Sequence, residues 1–119
     1  MQTLHLSEMM DRQKILFEQN KAKWSPMEPA YGRNFLLWMI EEMGECIAII
    51  KKKGDAEIMA DPTVRAAFLE EMSDVLMYFT DTLLRYGVSA QEFSAAYRQK
   101  NDANMKRTYY QEFHGTPNA

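Results

Sequence analysis

Apolar residues recur three or four positions apart along this chain, and no stretch alternates convincingly between apolar and polar residues. Spacings of three and four place side chains on one face of an α-helix, whereas alternation is typical of a half-buried strand. The glycines and prolines fall between the periodic runs, where they interrupt helices. The sequence therefore predicts an all-α fold.

Start and stop signals divide the chain into four long helices, expected over about residues 7–23, 34–53, 62–86 and 90–107. Ser7 is a candidate N-cap for the first helix, and Asp61 before Pro62 is a typical helix start. Gly54 and Gly87 are typical helix stops. A connector with one helical turn is expected between the second and third helices. Four helices with short connections predict a four-helix bundle, which association with further copies would complete.

Length and composition narrow the class of protein. The 119 residues suit one domain, expected over residues 1–107, with a flexible tail over residues 108–119. The net charge of -3 argues against binding to polymeric nucleic acid or to an anionic membrane. No run approaches the roughly 20 apolar residues that span a bilayer, and the polar N-terminal run does not resemble a secretory signal. Cys46 is the only cysteine, so we expect a reducing, cytoplasmic compartment.

Two pairs of acidic residues occupy faces that are otherwise apolar. Glu42 and Glu45 stand three residues apart in the run WMIEEMGECIAII, as do Glu71 and Asp74 in the run FLEEMSDVLMYF. That spacing puts both carboxylates of a pair on one side of a helix. Apolar faces normally exclude carboxylates, and carboxylates gathered there repel one another unless a cation compensates.

The ligand type indicates which cation would compensate. Oxygen ligands favour Mg²⁺ or Mn²⁺ over zinc or copper, and Mg²⁺ commonly takes its remaining ligands from water and phosphate. The acids therefore predict a metal site for phosphate chemistry. The alternative is that they lie on solvated helix faces or pair with lysines. Glu70 lies away from the apolar stripe, and we expect it to be a solvated neighbour rather than a ligand. Glu41 lies on the flank of the first pair, beside Glu45.

The end of the fourth helix carries a basic patch. Lys100, Asn104 and Arg107 are spaced four and then three residues apart, so they share one face. Phe93 and Tyr97 continue that face upstream and are expected in the core. Cations near a metal would hold phosphate oxygens that the metal does not reach. The alternative is a fraying helix end that basic residues stabilise through the helix dipole.

With these motifs the chain resembles the all-α nucleoside triphosphate pyrophosphohydrolases, a superfamily that includes the MazG-like proteins, the dimeric dUTPases and the dCTPases. The motif EExxE followed by ExxD is matched by Glu41, Glu42, Glu45, Glu71 and Asp74. The downstream element K-N-x-x-N-x-x-R is matched by Lys100, Asn101, Asn104 and Arg107. The resemblance covers about residues 34–107.

The resemblance implies an enzyme that cleaves a (d)NTP to a (d)NMP and pyrophosphate with Mg²⁺, with nucleotide-pool housecleaning as a role. The implied metal ligands are Glu42, Glu45, Glu71 and Asp74. The implied catalytic residues are Glu41 and Glu42. Glu41 would be a further metal ligand or would orient and deprotonate the attacking water. Lys100, Asn104 and Arg107 would contact the phosphates or the sugar. A homodimer or homotetramer is also implied.

The residues that would contact the base are suggested by the N-terminal half. Gln13, Leu16 and Trp24 resemble the dUTPase and dCTPase branch, so a pyrimidine nucleotide hydrolase is an alternative. Gln13 could bind a base edge, and Trp24 or Trp38 could stack on a base, although packing is the ordinary role of such residues.

Two further readings of the acids compete with this one. A non-enzymatic helical interaction module with a structural cation is the broader alternative. A ferritin-like di-iron bundle requires Glu-x-x-His pairs. The two histidines, His5 and His114, lie near the ends of the chain, which argues against it.

Overall fold

The computed structural model describes residues 1–107. Over these residues the chain forms α-helices, one short 3₁₀ helix and no strand, so the predicted all-α class is confirmed. The α-helices are α1 (Leu6–Asn20), α2 (Gly32–Lys53), α3 (Asp55–Ala60), α4 (Pro62–Arg85) and α5 (Ala90–Lys106). The tail expected over residues 108–119 lies outside the described residues.

The chain divides into two compact units, the first over Met1–Ser89 and the second beginning at Ala90. A single domain over residues 1–107 stays a prediction. In the first unit α2 packs along α4, and both α1 and α3 also pack against α4. The helix α4 is therefore the centre of this unit, and residues on its faces meet side chains from three other helices.

Local chemistry explains where α4 begins. The Asp61 carboxylate accepts hydrogen bonds from the backbone N–H groups of Thr63, at 2.9 Å, and Val64, at 3.4 Å. These donors would otherwise lack partners in the first helical turn. Pro62 occupies the first helical position, where its missing N–H costs nothing. The predicted cap is confirmed.

The predicted helix stops are also confirmed. α2 ends before Gly54, which has a φ of 84°, and Gly87 after α4 has a φ of 68°. Glycine adopts such positive φ angles without the steric cost that a β-carbon brings. Three lysines in the last turn of α2 also suit the negative end of its dipole.

Other boundaries differ from the prediction. The N-cap of α1 is His5 rather than Ser7, and the Glu8 carboxylate accepts a hydrogen bond from the His5 backbone N–H at 2.8 Å. The helix α1 ends at Asn20, earlier than predicted. The helix α2 begins earlier than predicted, since the 3₁₀ helix Pro29–Tyr31 leads directly into it. The expected connector is the short helix α3.

The core of the first unit is small and partly polar. Its buried apolar side chains are Met10, Phe17, Phe35, Cys46 and Ile58, and its buried polar ones are Gln13, Thr80, Asp81, Thr82 and Arg85. The two threonine hydroxyls donate hydrogen bonds to carbonyls of their own helix. The other three polar side chains join α1 to α4 and are described with the site.

The second unit contains α5, in which no residue is buried. The expectation that Tyr97 belongs to the core is wrong, because 62% of this residue is exposed. A helical period identifies the more apolar face of a helix but not whether another element covers it. No helix over residues 1–107 is long and apolar enough to cross a membrane.

Candidate active site

The packing of α2 along α4 brings three acidic side chains together. One carboxylate oxygen from each of Glu42, Glu71 and Asp74 lies within 4.8 Å of the other two, and all three residues are half-buried. Such oxygens lie close enough for small side-chain rotations to bring them onto one divalent cation, whose ligand distances are about 2.0–2.6 Å. This cluster could hold a metal ion.

Electrostatics at the cluster favour a cation. The pKa of Glu42 is raised from its ordinary value of 4.5, first by burial, then by a hydrogen bond with Glu71 and by nearby carboxylate charges. The pKa values of Cys46 and Tyr78 are also raised, in each case mainly by burial and further by nearby carboxylates that include Glu42 and Asp74. A divalent cation would relieve this repulsion and hold the carboxylates ionised.

The remaining acids of the motif lie outside this cluster. Glu45 is exposed, yet its charge contributes to the raised pKa of Glu42, so it borders the three clustered acids. Glu41 is also exposed, and its charge contributes to the raised pKa of Tyr78. Glu70 is exposed, as expected of a solvated neighbour. The structure thus brings one acid from α2 and two from α4 together, with Glu45 bordering them and Glu41 near Tyr78.

A pocket of about 370 Å³ opens beside Asp74. It is lined by Gln13, Trp24 and Trp38, together with Leu16, Lys23, Ser25, Phe35, Met77 and Tyr78. The volume is near the lower end for small-molecule sites, which are typically apolar with a few polar groups. The three residues that the sequence associates with a base therefore share one pocket with a clustered acid.

Three aromatic rings form a cluster at this pocket. The ring centroids of Phe35 and Trp38 are 4.9 Å apart, and both rings also contact Tyr78, at 6.0 and 6.4 Å. Their interplanar angles of 52–64° are tilted or edge-to-face, an arrangement that aromatic pairs favour. Packing holds these rings in place, and 40% of Trp38 stays exposed. A planar ligand could contact it there.

A buried polar network supports the same pocket, and the sequence prediction missed it. The Gln13 side-chain nitrogen donates a hydrogen bond to Asp81 Oδ2 at 3.2 Å, and Arg85 Nε donates to Asp81 Oδ1. Asp81 and Arg85 are 0% and 1% exposed. A signal was available, since Glu71, Asp74, Tyr78, Asp81 and Arg85 are spaced alternately three and four apart on α4.

The basic patch lies in the second unit. Lys100 and Arg107 are exposed and Asn104 is half-buried. The Arg107 backbone N–H donates hydrogen bonds to the carbonyls of Ala103 and Asn104 at the end of α5. Contact between these side chains and phosphate stays a prediction.

Comparison with known families decides the class of the protein. A family model described as dATP/dGTP pyrophosphohydrolase matches residues 17–118, which is most of the chain. This chain belongs to the dATP/dGTP pyrophosphohydrolase family. The match includes both acidic motifs and the basic run of α5, but it begins after Gln13. Searches of curated proteins and of solved structures give no significant match.

Membership of the dATP/dGTP pyrophosphohydrolase family confirms two predictions. The resemblance to the all-α nucleoside triphosphate pyrophosphohydrolases is confirmed. The protein is an enzyme, a hydrolase that acts on acid anhydrides and takes a nucleotide substrate. Membership decides against the non-enzymatic interaction module. Over residues 1–107 no histidine joins the acidic cluster, so the ferritin-like alternative gains no support.

Proposed function

We propose that this protein is a Mg²⁺-dependent pyrophosphohydrolase of purine deoxynucleoside triphosphates, which cleaves dATP or dGTP to the monophosphate and pyrophosphate. The observation that carries the proposal is the position of the acidic cluster beside an aromatic pocket, with Asp74 part of both. The description of the matching family supports purines over the pyrimidine alternative.

The metal ligands in this proposal are Glu42, Glu71 and Asp74, with Glu45 joining directly or through a water molecule. All four offer carboxylate oxygens, the ligands that Mg²⁺ prefers, and Mn²⁺ would substitute. The raised pKa of Glu42 supports the choice, because carboxylates that repel one another are stabilised by a divalent cation. When bound, the metal polarises phosphate oxygens and lowers the pKa of bound water.

The reaction requires attack of water on the α-phosphorus and departure of pyrophosphate. Glu41 is exposed, and its charge acts on the nearby Tyr78. In this proposal Glu41 would orient the water and, together with Glu42, accept its proton. Lys100 and Arg107 would neutralise phosphate oxygens, and Asn104 would donate a hydrogen bond to the triphosphate or the sugar. Phosphoryl transfer depends mainly on such positioning and charge stabilisation.

The pocket beside Asp74 would hold the base. Trp38 would stack on it, supported by Phe35 and Tyr78, and Trp24 lines the same space. A purine offers a larger stacking surface than a pyrimidine, which is consistent with the description of the family.

We further propose that the enzyme is a homodimer or homotetramer. Large apolar side chains are exposed along one side of α2: Leu36, Ile40, Met43, Ile47 and Ile50. Their spacing alternates between four and three residues, as in helices that pair with another helix. A second copy of this chain is the occupant we propose. A cytoplasmic location and a housecleaning role in the nucleotide pool complete the proposal, the first supported by a single unpaired cysteine.

A panel of nucleotides tests the proposed reaction. Purified protein is offered dATP, dGTP, dCTP, dUTP, ATP and GTP with Mg²⁺ or with EDTA, and the products are separated by ion-exchange chromatography. We expect dAMP or dGMP with equimolar pyrophosphate, only with Mg²⁺. Orthophosphate as the first product would show that a different bond is cut. Preference for dCTP or dUTP would favour the pyrimidine alternative, and no turnover across the panel would refute the proposal.

A further inference from the structure

The orientation of the Gln13 carboxamide is fixed by chemistry. Gln13 is 7% exposed, and its nitrogen lies 3.2 Å from Asp81 Oδ2. An ionised carboxylate only accepts hydrogen bonds, so the nitrogen of Gln13 and not its oxygen must face Asp81. The rotation of the amide, often ambiguous, is determined here by its partner.

The Gln13 oxygen is consequently the free end of this amide. No residue among 1–107 donates a hydrogen bond to it. This oxygen is also accessible to solvent. Among residues 1–107, the only side-chain N or O atom that is both fully buried and without a partner is Arg85 Nη2. Gln13 lines two pockets, the one beside Asp74 and one between α1 and α4, and a ligand in the pocket beside Asp74 would lie next to the Gln13 side chain.

Arg85 holds several parts of the pocket wall at once. It binds Asp81, and its Nη1 donates to the carbonyls of Ser25, at 3.1 Å, and Pro26. Its guanidinium also lies 3.6 Å from the centre of the Phe35 ring. Ser25 and Phe35 line the pocket directly, and Asp81 is hydrogen-bonded to Gln13, which also lines it. One buried cation thus connects three sides of the pocket.

We propose that Asp81 and Arg85 are positioning residues that present the Gln13 oxygen to the base as a hydrogen-bond acceptor, so that the pocket selects purines with an N–H donor. The proposal rests on the proposed function for its nucleotide substrate. Adenine carries a 6-amino group, and guanine carries a ring N–H and a 2-amino group. Guanine carries the acceptor O6 where adenine carries its amino group, so a single acceptor serves both purines only when guanine binds shifted along that edge. Pyrimidines carry N–H donors too, so stacking on Trp38 rather than Gln13 separates the two classes of base.

A purine without such a donor provides the test. Purine 2′-deoxyriboside triphosphate differs from dATP only in lacking the 6-amino group. Bound in this pocket, it would leave the Gln13 oxygen without a partner, which is costly in a desolvated site. We expect kcat/KM for dATP to exceed that of the analogue by about tenfold to a hundredfold in the wild-type enzyme with Mg²⁺.

Variants separate positioning from packing. In Gln13→Met the acceptor is lost at similar volume, and the ratio of the two kcat/KM values should fall to about one. In Asp81→Asn the new amide can donate a hydrogen bond to the Gln13 oxygen. The Gln13 carboxamide can then rotate so that its oxygen faces residue 81 instead of the base. The ratio should therefore fall although Gln13 is still present. Gln19→Met, an exposed change on the same helix, should keep the wild-type ratio. A ratio within one protein does not change with its folded fraction, so destabilisation alone would not move it.

Binding of dAMP and of purine 2′-deoxyriboside monophosphate, measured by calorimetry, separates this inference from the proposed reaction. If dAMP binds more tightly than the analogue to the wild-type protein and Gln13→Met abolishes this difference, the result would support the inference even if no triphosphate is hydrolysed. Equal kcat/KM values and equal binding in the wild-type protein would overturn it while leaving the reaction intact. A wild-type ratio in Gln13→Met would overturn it as well.

Discussion

Removing Asp81 should destabilise the protein severely, because Arg85 would remain charged and buried without its counter-ion. Arg85 is 1% exposed, and its Nη2 has no hydrogen-bond partner among residues 1–107. Breaking a buried ion pair from one side costs about 3–5 kcal/mol. Arg85 keeps two carbonyl partners and the Phe35 ring, so we expect Asp81→Leu to lie near the lower end, at about 3 kcal/mol.

This loss is large enough to measure in two ways. A domain of about 100 residues loses roughly 4–6 °C of Tm per kcal/mol, so Asp81→Leu should lower the Tm by about 12–18 °C. Urea unfolding followed by circular dichroism gives the free energy directly. Glu18→Gln is the matched control, since it removes an exposed ion pair with Lys21 at 3.2 Å and should cost less than about 0.5 kcal/mol.

The double variant Asp81→Leu with Arg85→Met decides the cause. It leaves no buried charge, so it should recover much of the lost free energy of unfolding. A double variant as unstable as Asp81→Leu would show that lost packing, not an unpaired charge, is responsible. If Asp81→Leu alone stays within about 1 kcal/mol of the wild type, the reasoning about the buried pair is refuted.

Three further predictions concern the site. The pKa of Glu42 is raised in the folded state, so the folded, metal-free protein should lose stability as the pH rises from 4.5 through that raised pKa. Urea unfolding at a series of pH values should show this loss, and Glu42→Gln should make it smaller. Trp38→Ala should raise KM for dATP about tenfold with less change in kcat, as expected for a lost stacking surface; an unchanged KM would remove Trp38 from the base site. In steady-state kinetics Lys100→Ala should raise KM, whereas the control Lys106→Ala should not. If both variants behave alike, Lys100 makes no specific contact with phosphate.

Much of the fold could be predicted because its signals are local. The Asp61 cap and the stops at Gly54 and Gly87 depend on chemistry within a few residues of each position. The start of α1 was missed, since the cap at His5 uses a backbone N–H and the Glu8 side chain instead of a typical capping residue. The apolar helix face of Tyr97 predicts a core position, but the residue is exposed, because burial requires another element to pack on that face.

The site could be predicted in part for the same physical reason. A helical wheel places Glu42 and Glu45 about 60° apart, and it cannot say which of the two faces another helix. Packing against α4 places Glu42 in the cluster and leaves Glu45 exposed. The ion pair of Asp81 with Arg85 was missed because its contribution to the site depends on a hydrogen bond with Gln13, which lies on a different helix.

The central claim is that the cluster of Glu42, Glu71 and Asp74 holds the metal that turnover requires. The most direct measurement is the rate of Mg²⁺-dependent pyrophosphate release from dATP in Glu42→Gln and in Glu70→Gln, the exposed neighbour of Glu71. We predict a loss of at least about a hundredfold in Glu42→Gln, with unchanged circular dichroism, and a wild-type rate in Glu70→Gln. Wild-type rates in both variants, or equal losses in both, would contradict the account.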